Sequence, residues 1–248
     1  MKLNLRQFFL TNSVRLVKRN NLDIILVKDA GNGEKVLRNL LYFLVDNRTA
    51  LFLSGGKTPK NIYSQLAQEK EINPGVVAMI DERYGKPFHA DSNEKMIKDS
   101  GLLNYFKSKN IPFYNILQEN QNLENTALSY DEKVRFLFFN FPRNIGILGI
   151  GQDGHTAGLP VKNQKLKSKS QNYVESVDNF SGKLKKRITM TFLGLSMLDY
   201  LVVIVFGSEK KKALISMMED GSFEEVPARF FMRKDIAPKT LLITEQKI

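Results

Sequence analysis

The sequence predicts an α/β fold: an open, mainly parallel sheet with helices on both faces. Three observations carry this. Short continuous apolar runs, such as Leu201-Val202-Val203-Ile204-Val205-Phe206, have the pattern of strands covered on both sides. These runs alternate with longer segments whose apolar residues recur at helical spacing, the order expected of parallel units. Polar, glycine-bearing turns follow the strands, where open parallel sheets gather their ligands. No repeat, heptad run or Pro/Gly/Ser-rich linker divides the chain, so residues 1–248 are read as one domain, with a small extra subdomain outside the main sheet left open.

In chain order, residues 22–27 (LDIILV) read as a strand, and residues 34–45 as a helix with Val36, Leu37, Leu40, Leu41 and Leu44 on one face. A strand at residues 50–53 leads through Ser54-Gly55-Gly56-Lys57 to Thr58-Pro59, read as the cap and first-turn proline of a helix that turns Ile62, Tyr63 and Leu66 inward. Residues 76–80 form a strand running into Asp81-Glu82-Arg83, and residues 113–117 precede a helix over 123–138. The run Ile145-Gly146-Ile147-Leu148 reads as a buried strand ending in Gly149-Ile150-Gly151-Gln152-Asp153-Gly154-His155-Thr156. Arg187-Ile188-Thr189-Met190-Thr191 alternates like a strand. Residues 201–206 lead through Gly207 to a helix containing Leu214 and Met218, and residues 240–244 close the series.

With 248 residues and 42% hydrophobic content, the chain can bury a sizeable core. It has no cysteine, which excludes disulfides, thiolate metal sites and a cysteine nucleophile. Lys2 and Arg6 precede only the short apolar stretch Phe8-Phe9-Leu10, too short for a signal peptide or membrane span, so a cytoplasmic protein is expected. The net charge of +11 raises the question of nucleic acid. Much of the excess sits in Lys162, Lys165, Lys167 and Lys169 and in Lys183, Lys185, Lys186 and Arg187, without interleaved aromatic residues for base stacking. That pattern reads as a solvated loop face whose field steers a small anion, with no nucleic-acid partner expected. The segment 162–187 is also a candidate mobile lid.

The candidate chemistry lies at the strand ends. Asp153 and His155 stand two residues apart on a glycine-rich turn, and His155 is one of only two histidines, the residue type suited to proton exchange near neutral pH. The loop Gly55-Gly56-Lys57-Thr58 joins a strand to a helix, so its backbone N–H groups and the helix N-terminus form an anion site. It is not a Walker A loop, which requires glycine where Leu51 stands. Asp81 and Arg83 offer a proton acceptor and an oxyanion partner, or an ion-pair cluster. In the following polar turn His89 suits structural hydrogen bonding, and Ser92 or Asn93 suits a helix cap. Arg187 supplies a planar fork for phosphate, and Lys210 a point charge.

In combination, the Ser54–Pro59 loop, Asp81-Glu82-Arg83, His89 with Ser92-Asn93, residues 149–157, Arg187-Ile188-Thr189, Gly207 with Lys210, and Pro227-Ala228 resemble the 6-phosphogluconolactonase family, within the group that includes glucosamine-6-phosphate isomerase/deaminase. The resemblance implies a Rossmann-like sheet and hydrolysis of 6-phosphoglucono-1,5-lactone in the oxidative pentose phosphate pathway. It implies no cofactor or metal, a phosphosugar lactone as the small-molecule partner, no membrane partner, and an open oligomeric state leaning towards a monomer. His155 would act as general base and acid, oriented by Asp153. Arg83 would face the oxyanion, Asp81 the sugar hydroxyls, and Gly55, Gly56, Lys57, Thr58, Arg187 and Lys210 the 6-phosphate. Lys57 stands where the family usually has serine, and Ala157-Gly158-Leu159-Pro160 is shorter than the usual Ala-Ser-Leu-Phe-Pro. Two alternatives are an amino-sugar-phosphate deaminase or isomerase, whose members resemble Asp-Glu-Tyr and Asn-Gly-His at the corresponding motifs, and a non-catalytic sugar-phosphate sensor.

Overall fold

Strands β1 (Arg15–Arg19) and β2 (Leu22–Leu26) form a hairpin whose turn residues, Asn20 and Asn21, both have positive φ. Helix α1 (Ala30–Leu44), strand β3 (Thr49–Leu53), helix α2 (Lys57–Glu69) and strand β4 (Val76–Met79) follow. Next come β5 (Asp81–Arg83), α3 (Asn93–Asp99), α4 (Leu102–Ser108), β6 (Phe113–Tyr114) and α5 (Leu123–Asn140). The remainder is β7 (Arg143–Gly149), β8 (Val174–Val177), β9 (Arg187–Met190), α6 (Phe192–Ser196), β10 (Tyr200–Val205), α7 (Lys211–Met218) and β11 (Thr240–Thr244). This computed structural model describes residues 5, 8–9, 14–162 and 170–247. Lys2, Arg6, Leu10, Lys165, Lys167 and Lys169, with the side chain of Lys57, lie outside the described residues, as does the 163–169 part of the candidate lid.

The main sheet has eight strands in the order β1-β2-β11-β10-β7-β3-β4-β6. All its pairings are parallel except β1 with β2. Strands β3, β4 and β11 are buried along their whole length, as expected where helices cover both faces. The expected α/β fold is thus present. Beside it, β5, β9 and β8 form an antiparallel three-stranded sheet, the extra substructure that the sequence left open.

Three boundaries depart from the sequence reading for identifiable reasons. Helix α1 begins four residues before position 34, because Asp29 accepts the Asn32 N–H at 2.9 Å as its cap. Gly33 then lies against Phe206, whose ring a Cβ would meet at 2.2 Å. The cap of α2 is Gly56, at φ 122°, and not Thr58, which lies within the first turn; no side chain caps this helix. The strand expected over 113–117 stops at Tyr114, because the N–H groups of Ile116 and Leu117 turn to Glu94 Oε1, at 2.6 and 3.1 Å.

Strand β6 covers only Val77 and Ala78 of β4. Beyond its end the buried Tyr130 hydroxyl takes over: it accepts from Met79 N–H and donates to the Met79 carbonyl, both at 2.7 Å. From the next position of α5, Asp131 accepts the N–H groups of Tyr173 and Val174, at 2.6 and 2.9 Å. One helix therefore ties the edge of the main sheet to the second sheet. Tyr130→Phe leaves two buried backbone groups without a partner and should lower stability by about 1–3 kcal/mol. A urea titration should show an earlier midpoint at constant slope; an unchanged midpoint would show the hydroxyl to be dispensable.

Candidate functional site

The sheet order reverses between β3 and β7, and the crevice at such a switch point is where open α/β sheets bind ligands. The loops leaving β3, β4, β7 and β10 border a cleft of about 670 Å³ there, together with Arg187 at the start of β9. The volume suits a small-molecule ligand. The cleft brings together His155, Asp153, Asp81, Arg83, Gly55, Gly56, Thr58, Arg187 and Lys210, every predicted site residue whose side chain is described.

The histidine turn is shaped by hydrogen bonds and by the absence of side chains. Gly151 N–H donates to the His155 carbonyl at 2.8 Å, and Thr156 Oγ1 donates to the Gly149 carbonyl at 2.8 Å. Gly154 adopts φ +91°, and its carbonyl accepts the Ala228 N–H at 2.9 Å. A Cβ on Gly151 would lie 2.1 Å from the His155 ring, so glycine is required for this approach. His155 Nδ1 lies 2.5 Å from Asp153 Oδ1, which also accepts the His155 N–H at 3.1 Å. The hydrogen bond from His155 holds the Asp153 carboxyl down to about 2, against the opposing effect of burial. An ionised carboxylate only accepts, so the proton of this hydrogen bond lies on Nδ1, and in the neutral imidazole the lone pair is then on Nε2.

Across the cleft, β5 pairs with β9 so that Arg83 lies opposite Arg187. The Arg83 Nη1 donates to the Asp91 carbonyl at 2.8 Å. Arg187 is buried, its guanidinium lies 4.5 Å from the centre of the Phe180 ring, and its Nη1 has no hydrogen-bond partner among the described residues. Burial, then the charge of Arg83, draws the Arg187 pKa below its ordinary value, although arginine stays charged. Burial pushes Asp81 upward, against the pull of Arg83, Arg187 and His155. Lys210 Nζ donates to the Ile150 carbonyl at 2.8 Å, joining the β10 turn to the β7 turn. Burial lowers its pKa.

His89 lies outside the cleft lining; its Nε2 is 2.9 Å from the Arg83 carbonyl, and its Nδ1 accepts the Asp91 N–H at 3.3 Å. Ser92 caps α3 by accepting the Lys95 N–H at 2.9 Å. Several contributors escaped the sequence reading. Phe180 lines the cleft from a segment without a motif. Asn93, read as a possible cap and quoted in the family resemblance but given no place in the site, is buried in the lining; its Nδ2 donates to the Asp81 carbonyl at 2.9 Å. Its Oδ1 lies 1.8 Å from where a Cβ of Gly55 would stand. Glu82 accepts the N–H groups of Arg83, Asn93 and Glu94 at 2.6, 2.7 and 2.8 Å, cross-linking β5 to the start of α3. Buried Glu82 had no signal beyond its place between Asp81 and Arg83.

Among the described residues, no cluster of three or more His, Cys, Asp or Glu is arranged to hold a metal ion, and no helix is long and apolar enough to cross a membrane.

Fold and cleft together define an α/β protein with a histidine–aspartate pair and two arginines facing one ligand-sized space. The chain belongs to the family of glucosamine-6-phosphate isomerases/6-phosphogluconolactonase, matched over residues 33–241. It is 31% identical over 192 residues to a 6-phosphogluconolactonase of a Nostoc species, covering 74% of this chain and 77% of the relative. To a 6-phosphogluconolactonase of Rhizobium meliloti it is 29% identical over 201 residues, covering 76% and 82%. Among solved structures, the 6-phosphogluconolactonase from Plasmodium vivax superposes with a TM-score of 0.75 at 20% identity, covering 98% of this chain and 95% of that one. That from Thermotoga maritima gives 0.71 at 23% identity, covering 89% and 98%. These two likenesses concern the fold.

Beneath Asp81 and Arg83 the carboxyl pair Glu82 and Glu94 makes stability depend on pH. Burial, reinforced by Glu94, pushes Glu82 up to about 8, and burial pushes Glu94 up to about 7, from ordinary values of 4.5. Between 4.5 and these values the folded state holds more protons than the unfolded state, so this contribution is full below 4.5 and is lost as pH rises through 7 to 8. The urea midpoint should fall from pH 5 to pH 8.5, and Glu94→Gln should flatten the fall. Identical pH profiles for wild type and variant would contradict it.

Proposed function

We propose that this cleft hydrolyses 6-phosphoglucono-1,5-lactone to 6-phosphogluconate. The observation that carries the reading is the His155–Asp153 pair in the same cleft as the Arg187 guanidinium, whose Nη1 has no hydrogen-bond partner among the described residues. The names of the Nostoc and Rhizobium relatives support the substrate class.

In the proposed reaction His155 Nε2 takes a proton from water as its oxygen attacks the lactone carbonyl carbon. The imidazolium is stabilised by ionised Asp153. The carbonyl oxygen becomes an oxyanion, met by Arg83 and by backbone N–H groups. As the intermediate collapses, the bond from the carbonyl carbon to the ring oxygen breaks, and the imidazolium returns its proton to that oxygen. Only water is consumed. At the other end, Arg187 and Lys210 hold the 6-phosphate with the Gly55–Thr58 loop, where the uncapped first turn of α2 leaves N–H donors for an anion. Asp81 binds the sugar hydroxyls between the two ends. Arg83 and Asp153 favour hydrolysis over amino-sugar isomerisation, since the isomerases and deaminases resemble Asp-Glu-Tyr and Asn-Gly-His at these two motifs.

The test follows freshly generated lactone against its spontaneous hydrolysis, with glucosamine 6-phosphate as the competing substrate. Wild type should accelerate lactone loss and release no ammonia; ammonia release without lactone turnover would overturn the reading. His155→Ala should reduce kcat about a hundredfold or more, and full retained activity would remove it from the mechanism. Arg187→Ala should chiefly raise KM; an unchanged KM would move the phosphate contact elsewhere.

A further inference from the structure

Phe180 is the one cleft residue in ring contact with both His155 and Arg187. It belongs to the connection between β8 and β9, where its N–H donates to the Lys185 carbonyl at 3.0 Å, and its side chain is only 7% exposed. Its ring meets the His155 imidazole at 5.0 Å between centroids and 83° between planes, edge to face. It also meets the Arg187 guanidinium carbon at 4.5 Å. Neither contact uses a hydrogen-bonding atom. Asp153 Oδ1 holds the imidazole at Nδ1 and the backbone at the His155 N–H; the edge-to-face contact with Phe180 adds a second constraint on the ring, at a point away from that carboxylate. A guanidinium attracted to an aromatic ring keeps its in-plane N–H donors for an oxyanion. The contact thus orients Arg187 without occupying its Nη1, which has no hydrogen-bond partner among the described residues.

We propose that Phe180 is a positioning residue that fixes the proton-transfer histidine and the phosphate-binding arginine relative to each other through one rigid aromatic side chain. A ring with two rotatable bonds loses little entropy on being held, so it sets the spacing of the two groups. The inference rests on the lactonase reading and adds to it a residue that touches neither reacting atoms nor phosphate.

The test compares wild type, Phe180→Leu and Phe180→Tyr on 6-phosphogluconolactone, with thermal melting of each. A second measurement follows the His155 ring-proton resonances by NMR; with only two histidines in the chain, His89→Gln assigns them. Loss of both ring contacts in Phe180→Leu should lower kcat about tenfold and raise KM about three- to tenfold. Phe180→Tyr should restore both to within about twofold of wild type. The His155 resonance, shifted by the neighbouring ring current, should move towards its free-imidazole position in the leucine variant and stay in place in the tyrosine variant. Leucine and wild type within twofold in both kinetic constants, with the His155 resonance unmoved, would overturn the proposal while leaving the lactonase intact. A wild type that turns over no lactone would overturn the functional reading itself.

Discussion

Every part of the cleft depends on β7 being paired on both edges. It pairs with β3 from Thr49↔Arg143 to Phe52↔Gly146, and with β10 from Tyr200↔Ile145 to Ile204↔Gly149. Gly146 is the meeting point: a Cβ there would lie 2.7 Å from Leu198 and 3.3 Å from Ile80, so its bare backbone lets the cores of both sheet halves close around it. Because these pairings are parallel, the glycine loop, the histidine turn and the Lys210 turn leave the sheet in one direction. A slip of one residue would send alternate side chains to the opposite face, separating His155 from the cleft.

The second sheet supplies the opposing wall and most of its charge. Pairing Arg83 with Arg187 puts two cations side by side, an arrangement that repels on its own. Asp81 moderates that repulsion, drawing the Arg187 pKa upward against burial and Arg83. Under the proposed function the substrate phosphate supplies further negative charge, so the wall is most comfortable when occupied. The β5–β9 pairing keeps the arginines side by side, while Glu82 ties β5 to the start of α3 through the N–H groups of Arg83, Asn93 and Glu94.

The centre of the main sheet was legible in the sequence because strands such as β3, β4 and β11 are buried along their whole length and are therefore largely apolar. The glycine loop, the histidine turn and Arg187 were legible because each carries chemistry-bearing residues at a strand terminus. What was missed lacked such signals. Strand β1 carries three charged residues among its five and is mostly exposed; its one clue was Asn20-Asn21, a pair suited to a tight hairpin turn. Strand β8 and helix α6 are short, and tertiary contacts define them: Asp131 holds the start of β8, and Gly194 lies where a Cβ would meet the Tyr173 carbonyl at 2.3 Å. Phe180 and Asn93 act through neighbours distant in sequence, so no local pattern marked them. The cap of α2 was misassigned because Thr58 suits a cap chemically, while the backbone of Gly56 occupies that position.

The placement of β11 between β2 and β10 has a consequence for the order of assembly. The β1–β2 hairpin is synthesised well before β11, its other neighbour in the sheet among the described residues, which pairs with it through Asp23↔Leu241 to Leu26↔Thr244. Local contacts close early and distant ones late, so a growing chain holds Leu22, Ile24 and Ile25, all buried in the finished protein, without their sheet partner until residue 244 has emerged. Translation must therefore carry an apolar strand edge through nearly the whole length of the chain. The charges of β1, Arg15, Lys18 and Arg19, guard the opposite edge of the hairpin, so the edge of β2 that awaits β11 has no such protection from β1.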